Sequence, residues 1–560
     1  MEVNVMSVEL QYEEKTQRTS RFTLKGILQD PALLFAIAVI SVFLFLFIIY
    51  PMLKIVIYPS SETWRRFFTE TRYMKILKNS VLLAILTTFS STLIGFCFAY
   101  ALTREDFPFK RFFRATSILP LISPPFVTGL ALILLFGRQG LITHALLGLD
   151  VSAYGLSGLW FAQTMAYYPV AALTLSGVLK SINPTLEYAA RDLGQSEWGI
   201  FKTITLPLIT PGIASAALLV SMYSLSDFGN PMVIGGPFRV LATEAYMQVT
   251  GMYNLPMAAV VSFFLLIPSL GIFLIQRYWV SRKQYETVTG KGGTLEAPPT
   301  PPIVKYSLLV ILSIASLLTI SIFVVVICGA FTKTWGVDWS FTLANFSYTF
   351  LSKMKDIWNS LYFSLLASLG TALLATFASY IIYRKKFWGR NALDLIAVLP
   401  GALPGTMVGI AYILAFNRKP LLLTGTAAIV ILSMIVRNIP FGYRNGLAVL
   451  HQIDESIEES AANLGANTLQ VFKDIILPLL KSAFSVTIVY TFIKSMTTVS
   501  AAIFLVSPGT NIATTSILGL SEHGYWGQAA AMATILIGIT ILTTLLFETI
   551  GGKEKKLFDF

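Results

Sequence analysis

The chain has 560 residues, 55% hydrophobic and only 12% charged, about half the charged share of a soluble domain, which excludes that class. Its net charge of +12 sits beside apolar runs, where it marks the inner ends of membrane spans and not a nucleic-acid surface. The runs are near 20 residues long, enough to cross roughly 30 Å of hydrocarbon as helices, whereas an outer-membrane barrel would alternate over about ten residues.

Twelve spans are predicted, at 32–53, 79–102, 115–136, 155–178, 208–227, 256–280, 305–330, 359–383, 392–416, 424–447, 480–500 and 528–549. The first is too long for a signal-peptide core and no small-residue cleavage site follows it, so it reads as a retained helix. Cys97 and Cys328 fall inside spans and read as packing residues, not a disulfide or a metal site.

With the N-terminus inside, the inner segments hold Lys15/Arg18/Arg21/Lys25, Arg104/Lys110/Arg111/Arg114, Arg282/Lys283, Arg384/Lys385/Lys386/Arg390 and Lys553/Lys555/Lys556. Lys and Arg then favour the inside by about two to one, and the C-terminus also lies inside. The outer stretch with Arg65, Arg66 and Arg72 is the exception and reads as a surface helix.

The chain repeats itself. Asn79-Ser80 matches Asn359-Ser360, Tyr100 matches Tyr380, Pro120 and Pro124 match Pro400 and Pro404, and Gly129 matches Gly409, all 280 positions apart. From Pro169/Pro440 onward the spacing is 271, so the first half carries nine extra residues near Gly140 to Tyr154. An even number of crossings separates the copies, which makes them parallel repeats. The expected organisation is an N-terminal segment 1–31, a six-span repeat 32–285, a Gly/Pro linker 286–304, a second repeat 305–552 and a tail 553–560.

One polar loop recurs inside both halves. The first copy runs Glu187-Tyr188-Ala189-Ala190-Arg191-Asp192-Leu193-Gly194, then nine residues, then Ile204-Thr205-Leu206-Pro207. The second runs Glu458-Glu459-Ser460-Ala461-Ala462-Asn463-Leu464-Gly465, then nine residues, then Ile475-Ile476-Leu477-Pro478. Asn183 and Asp454 can cap a short helix, and Pro184 suits its first turn. Ala189, Ala190 and Ala461 allow close approach of a partner, and Gly194 and Gly465 permit the positive φ of a helix end. Leu206-Pro207 and Leu477-Pro478 set the entry into the fifth span of each half. A rigid two-helix elbow is predicted twice.

These loops resemble the EAA loops of ABC importer permeases, and the resemblance covers nearly the whole chain. It is similar to the fused twelve-span permeases of the ferric-iron branch, a MetI-like, binding-protein-dependent inner-membrane component. The resemblance implies an all-α polytopic membrane protein in the bacterial cytoplasmic membrane. It implies as partners an ABC ATPase homodimer docked on Glu187, Ala189, Ala190, Gly194, Leu206, Pro207, Glu458, Glu459, Ala461, Gly465, Leu477 and Pro478, and an extracytoplasmic solute-binding protein. Membrane lipid surrounds the spans. The conventional glutamate falls at Tyr188 and Glu459, so the first copy lacks it and the two elbows are expected to be unequal. No phosphate loop is present, since Gly290-Lys291-Gly292-Gly293 lacks the spacing. The chain is therefore expected to carry no cofactor, with ATP and magnesium on the partner, and to be no enzyme.

Charges inside spans usually face a wet path or another helix. Arg437 has Ala166 as its counterpart, Lys494 has Tyr223, and Asp227 has Thr498. They read either as walls of a translocation path for an anion or an anion-complexed metal, or as an interhelical pair of Asp227 with Lys494. Iron-type relatives generally follow such a lysine with an acidic residue, whereas Ser495-Met496 follow here. Ferric iron or a small anionic solute is the implied cargo, with phosphonates, hexose phosphates or thiamine as the alternative. Ser224, Ser226, Thr497, Thr498 and Ser500 read as packing hydroxyls. His144, His451 and His523 are scattered and form no cluster. A proton- or sodium-driven transporter would need inverted repeats and no elbow, and no catalytic constellation supports a membrane enzyme.

Overall fold

Long apolar runs become long helices, because backbone groups in hydrocarbon must bond within their own segment. The computed structural model describes residues 31–551 except 105, 125, 150–152, 281–299, 386 and 468–469. The expected N-terminal segment, most of the linker and the C-terminal tail lie outside the described residues.

The first half contains α1 (Leu33–Ile57), α2 (Ser61–Thr69), α3 (Thr71–Thr103), α4 (Lys110–Ile122), α5 (Phe126–Phe136), α6 (Leu156–Ser181), α7 (Thr185–Asp192), α8 (Glu197–Ser226), α9 (Gly229–Ile234), α10 (Leu241–Thr250) and α11 (Leu255–Tyr278). The second contains α12 (Pro302–Ala330), α13 (Ala344–Ser352), α14 (Met354–Arg384), α15 (Arg390–Ala402), α16 (Gly405–Phe416), α17 (Ala427–Leu450), α18 (Ser456–Asn463), α19 (Val471–Leu479), α20 (Lys481–Met496), α21 (Ala502–Leu505), α22 (Ala513–Glu522) and α23 (Trp526–Phe547). Among the described residues nine helices are long and apolar enough to cross a membrane, or eleven if each of two bent pairs is one span. Helix α6 occupies the place of the fourth expected span but is not among these helices. A short hairpin, Thr332–Thr334 with Asp338–Phe341, interrupts an otherwise all-α chain.

The third span of each half is broken, not continuous as expected at 115–136 and 392–416. Ser123 is extended, as the residue before Pro124 must be, and it separates α4 from α5. In the second half Pro404, itself extended, stands at the start of α16 and ends any continuation from α15.

Two compact units cut across the repeats. One comprises 31–53, 365–401 and 434–492, and the other 54–364, 402–433 and 493–551. In the larger unit α12, which opens the second repeat, packs into the first. Leu308, Leu312 and Ala315 share a core with Phe98, Ala101, Phe113 and Tyr168. Thr116 meets the Ser316 hydroxyl at 2.9 Å, and Tyr168 meets Thr319 at 3.1 Å. In the smaller unit the start of α1 packs on α15. Each repeat thus lends its first helix to the other. Asp106 holds the incoming strand of chain through Lys305 at 3.0 Å and Thr300. Burial alone would raise the Asp106 carboxyl, but Lys305 and Thr300 outweigh it and hold it below its usual range.

The Asn-Ser identities now have a cause. Ser80 Oγ accepts the Leu241 N–H at 2.8 Å and Ser360 Oγ accepts the Ala513 N–H at 2.7 Å. Each serine satisfies a buried donor that opens a short helix. Asn79 donates to the Arg239 carbonyl, and Asn359 to those of Gly509 and Asn511. The stretch with Arg65 and Arg66 is the surface helix α2, anchored by Phe67 stacked on Phe264 with ring centroids 4.0 Å apart.

Candidate functional site

The elbows are built alike. Asn183 accepts the Thr185 N–H at 3.0 Å and Asp454 accepts the Ser456 N–H at 2.9 Å, each starting a short helix. That bond holds the Asp454 carboxyl below its usual range. Gly194 and Gly465 follow with φ of +81° and +89°, a conformation that favours glycine. Ser196 then caps the next helix through the Gly199 N–H, and Asn467 caps its counterpart through the Gln470 N–H.

Leu-Pro acts differently from the expectation. Leu206 is helical (φ −64°, ψ −46°), and a π-turn at Phe201–Thr205 absorbs the N–H that Pro207 lacks, so α8 runs on unbroken. In the second half a π-turn at Val471–Ile476 precedes Leu477-Pro478, and the chain bends by 63° only after it, between α19 and α20.

Of the expected docking residues, Ala189, Gly194, Leu206, Pro207, Glu459, Gly465, Leu477 and Pro478 are exposed, and Ala461 is half-buried. Leu193 and Leu464 form the outermost tips at 85% and 90% exposure. Ala190 and Glu187 are buried at 6% each, and Glu458 is half-buried, so these three turn away from the exposed face.

The reason is an ion pair that the sequence reading missed. Arg104, just past the C-terminal end of α3, grips Glu187 through two parallel bonds of 2.6 and 3.0 Å, and Thr205 adds a third at 2.8 Å. The guanidinium also stacks 4.6 Å from the Tyr100 ring. Burial pushes the Glu187 carboxyl up, but Arg104 and then Thr205 outweigh it and hold it below its ordinary value. At the corresponding positions Arg384 meets Glu458 at 3.0 Å and Glu455 at 3.0 Å, and it also donates to the Leu450 and Ile453 carbonyls. Tyr380 and Lys385 complete that site. The available signal was spacing: Arg104 and Arg384 lie 280 apart, as Glu187 and Glu458 lie 271 apart.

Asp227 ends α8 buried at 5%. It accepts from Gln163 at 3.0 Å and from Asn230 at 2.9 Å, both neutral donors. Gln163 in turn accepts from Thr87 and Ser224, and Asn230 accepts the Gly129 N–H. Asp227 therefore belongs to a polar node joining α3, α5, α6, α8 and α9. Lys494 on α20 and Arg437 on α17 are half-buried. Among the described residues no group of three or more His, Cys, Asp or Glu side chains could hold a metal ion.

Residues 91–285 and 368–553 each match a family described as binding-protein-dependent transport system inner membrane component. The chain is 35% identical over 550 residues to a ferric transport system permease protein of Actinobacillus pleuropneumoniae, covering 95% of this chain and 80% of that one. A putative ferric transport system permease protein of Haemophilus influenzae is 35% identical across 87% of this chain and 80% of its own length. A probable sulfate transport system permease protein of a Helicosporidium species is 30% identical over 41% of this chain and 87% of its own.

Proposed function

The chain belongs to the binding-protein-dependent transport system inner membrane components and is an ABC importer permease, and we propose that it carries ferric iron inward, coupled to its ATPase through both elbows. The observation that carries the coupling is the elbow built twice, each with a side-chain cap, a positive-φ glycine and an arginine–glutamate anchor. The similarity to ferric transport permeases over 95% of the chain supports iron as the cargo. The partners are an ATPase homodimer beneath the exposed elbow faces and a solute-binding protein outside, with both termini cytoplasmic. The chain supplies the path and the lever arms, and the partner supplies ATP hydrolysis. Alternating access then requires the spans to exchange inward- and outward-open arrangements as the ATPase closes and reopens.

Arg437 and Lys494 supply positive charge to the path, where a partly dehydrated setting strengthens attraction to an anion or to iron carried with an anion. Replacing either by Met keeps the apolar stem and removes the charge. Uptake of ⁵⁵Fe(III) delivered by the binding protein is expected to fall at least tenfold in Lys494→Met, with insertion and ATPase co-purification intact. Adding Asp227→Asn is not expected to restore it, because Asp227 is held by neutral groups. Recovery in the double variant would make the lysine a structural partner of Asp227 and remove it from the path.

A further inference from the structure

In the first repeat one helix holds ionic joints at both ends. Helix α3 has 33 residues, about 50 Å at 1.5 Å per residue. Just past its inner end Arg104 clasps Glu187 of the elbow, with side chains only 7% and 8% exposed. At its outer end Arg72 meets Glu244 of α10 at 2.6 Å, and the Glu244 side chain is fully buried. Gln248 and the more distant Arg239 also serve Glu244. Ser80 and Asn79 fasten the start of α10 and the residue before its cap to the same helix. The buried bidentate joint of Arg104 with Glu187 is short and directional, and breaking it leaves an uncompensated charge, so it resists sliding; Arg72 makes a single bond from a part-exposed guanidinium to the buried Glu244.

We propose that Arg104 and Glu187 are positioning residues that pass elbow movement into α3, which delivers it to the outer helix α10 through Arg72–Glu244 and Ser80. The proposal rests on the reading that the elbow docks an ATPase. Without the inner joint, the elbow could swing on its glycine while α3 stayed still. Thr205 is the third leg of that joint and ties it to α8. The second repeat keeps a related inner joint, Arg384 with Glu458, and the outer serine contact of Ser360 with Ala513.

The test places the stimulus inside and the reporter outside. Cys97 and Cys328 are replaced by Ser, and a spin label is attached at Tyr253→Cys, a position 87% exposed just beyond α10. The full transporter with its ATPase is reconstituted and trapped with ATP and vanadate. The label's spectrum is expected to change on trapping, and Glu187→Gln is expected to reduce that change at least threefold while the ATPase still co-purifies. Thr205→Val, which removes a single hydrogen bond, is expected to reduce it about twofold and serves if Glu187→Gln does not fold. An undiminished response in both variants, or no response in the parent protein with ATPase bound, overturns the rod. The docking reading fails separately: Leu193→Asp with Leu464→Asp leaving ATPase co-purification at the parent level would defeat it whatever the label reports.

Discussion

Gly95→Ala is expected to lower the unfolding midpoint in detergent micelles. Helices α3 and α6 touch at Gly95, where a Cβ would lie 2.5 Å from that of Ala171 and 2.8 Å from both the Ala172 nitrogen and the Tyr168 carbonyl. Backbone cannot rotate away as a side chain can, so the helices must separate. Overpacking costs typically ~1–3 kcal/mol, and this site falls at the upper end because two of its neighbours are main chain. Small residues are what let membrane helices approach so closely.

The second repeat makes the same contact with the glycine on the other helix. Ala375 stands where Gly95 does, and Gly442 stands where Ala171 does, with an added Cβ on Gly442 placed 2.7 Å from Ala375 Cβ. One glycine per contact suffices. The double variant Gly95→Ala/Ala171→Gly is therefore expected to recover part of the loss, and not all of it, since the two main-chain contacts remain. Full stability in the single variant would show that the two helices are not packed this closely.

Arg104→Met is expected to destabilise the folded protein by about 3–5 kcal/mol at neutral pH, the usual cost of leaving a buried partner charge alone. In the parent protein the Glu187 carboxyl is held below its ordinary value of 4.5. Its stabilising contribution is thus fully present above that value and is lost as pH falls through the lowered one. In Arg104→Met burial acts without the guanidinium, the carboxyl rises above its ordinary value, and protonation relieves it. The gap between variant and parent should therefore narrow as pH falls from 7 toward 4, measured by unfolding midpoints across that range. A gap that stays constant with pH would mean that Glu187 is not the group left uncompensated.

Much of this was legible in the sequence. Length and apolarity defined the class, and the fixed spacings of 280 and 271 exposed the repeat and both elbows. The Asn79-Ser80 and Asn359-Ser360 identities marked a real contact before its partner was visible. The exchange of first helices was not legible, because an apolar helix such as α12 carries no periodic stripe that says which repeat it faces. The breaks at Pro124 and Pro404 were signalled by proline, but the apolar length of 115–136 and 392–416 outweighed that signal. Arg104 and Arg384 were counted as topology charges at the inner membrane edge, so their pairing with Glu187 and Glu458 went unread. The ion pair joins residues 83 apart, and the repeat spacing marks both arginines and both glutamates without saying that they touch. A carboxylate at a span end such as Asp227 suggests a path, and its neutral partners Gln163 and Asn230 were not legible in the sequence.

The central claim is that this chain moves its solute only as one part of an ATP-driven importer. The direct measurement is uptake of ⁵⁵Fe(III) into liposomes holding the purified chain, with ATPase, iron-loaded binding protein and ATP added singly and together. Accumulation is predicted only when all three additions are present, and non-hydrolysable ATP should abolish it. Accumulation by the chain alone under a proton or sodium gradient would contradict the account.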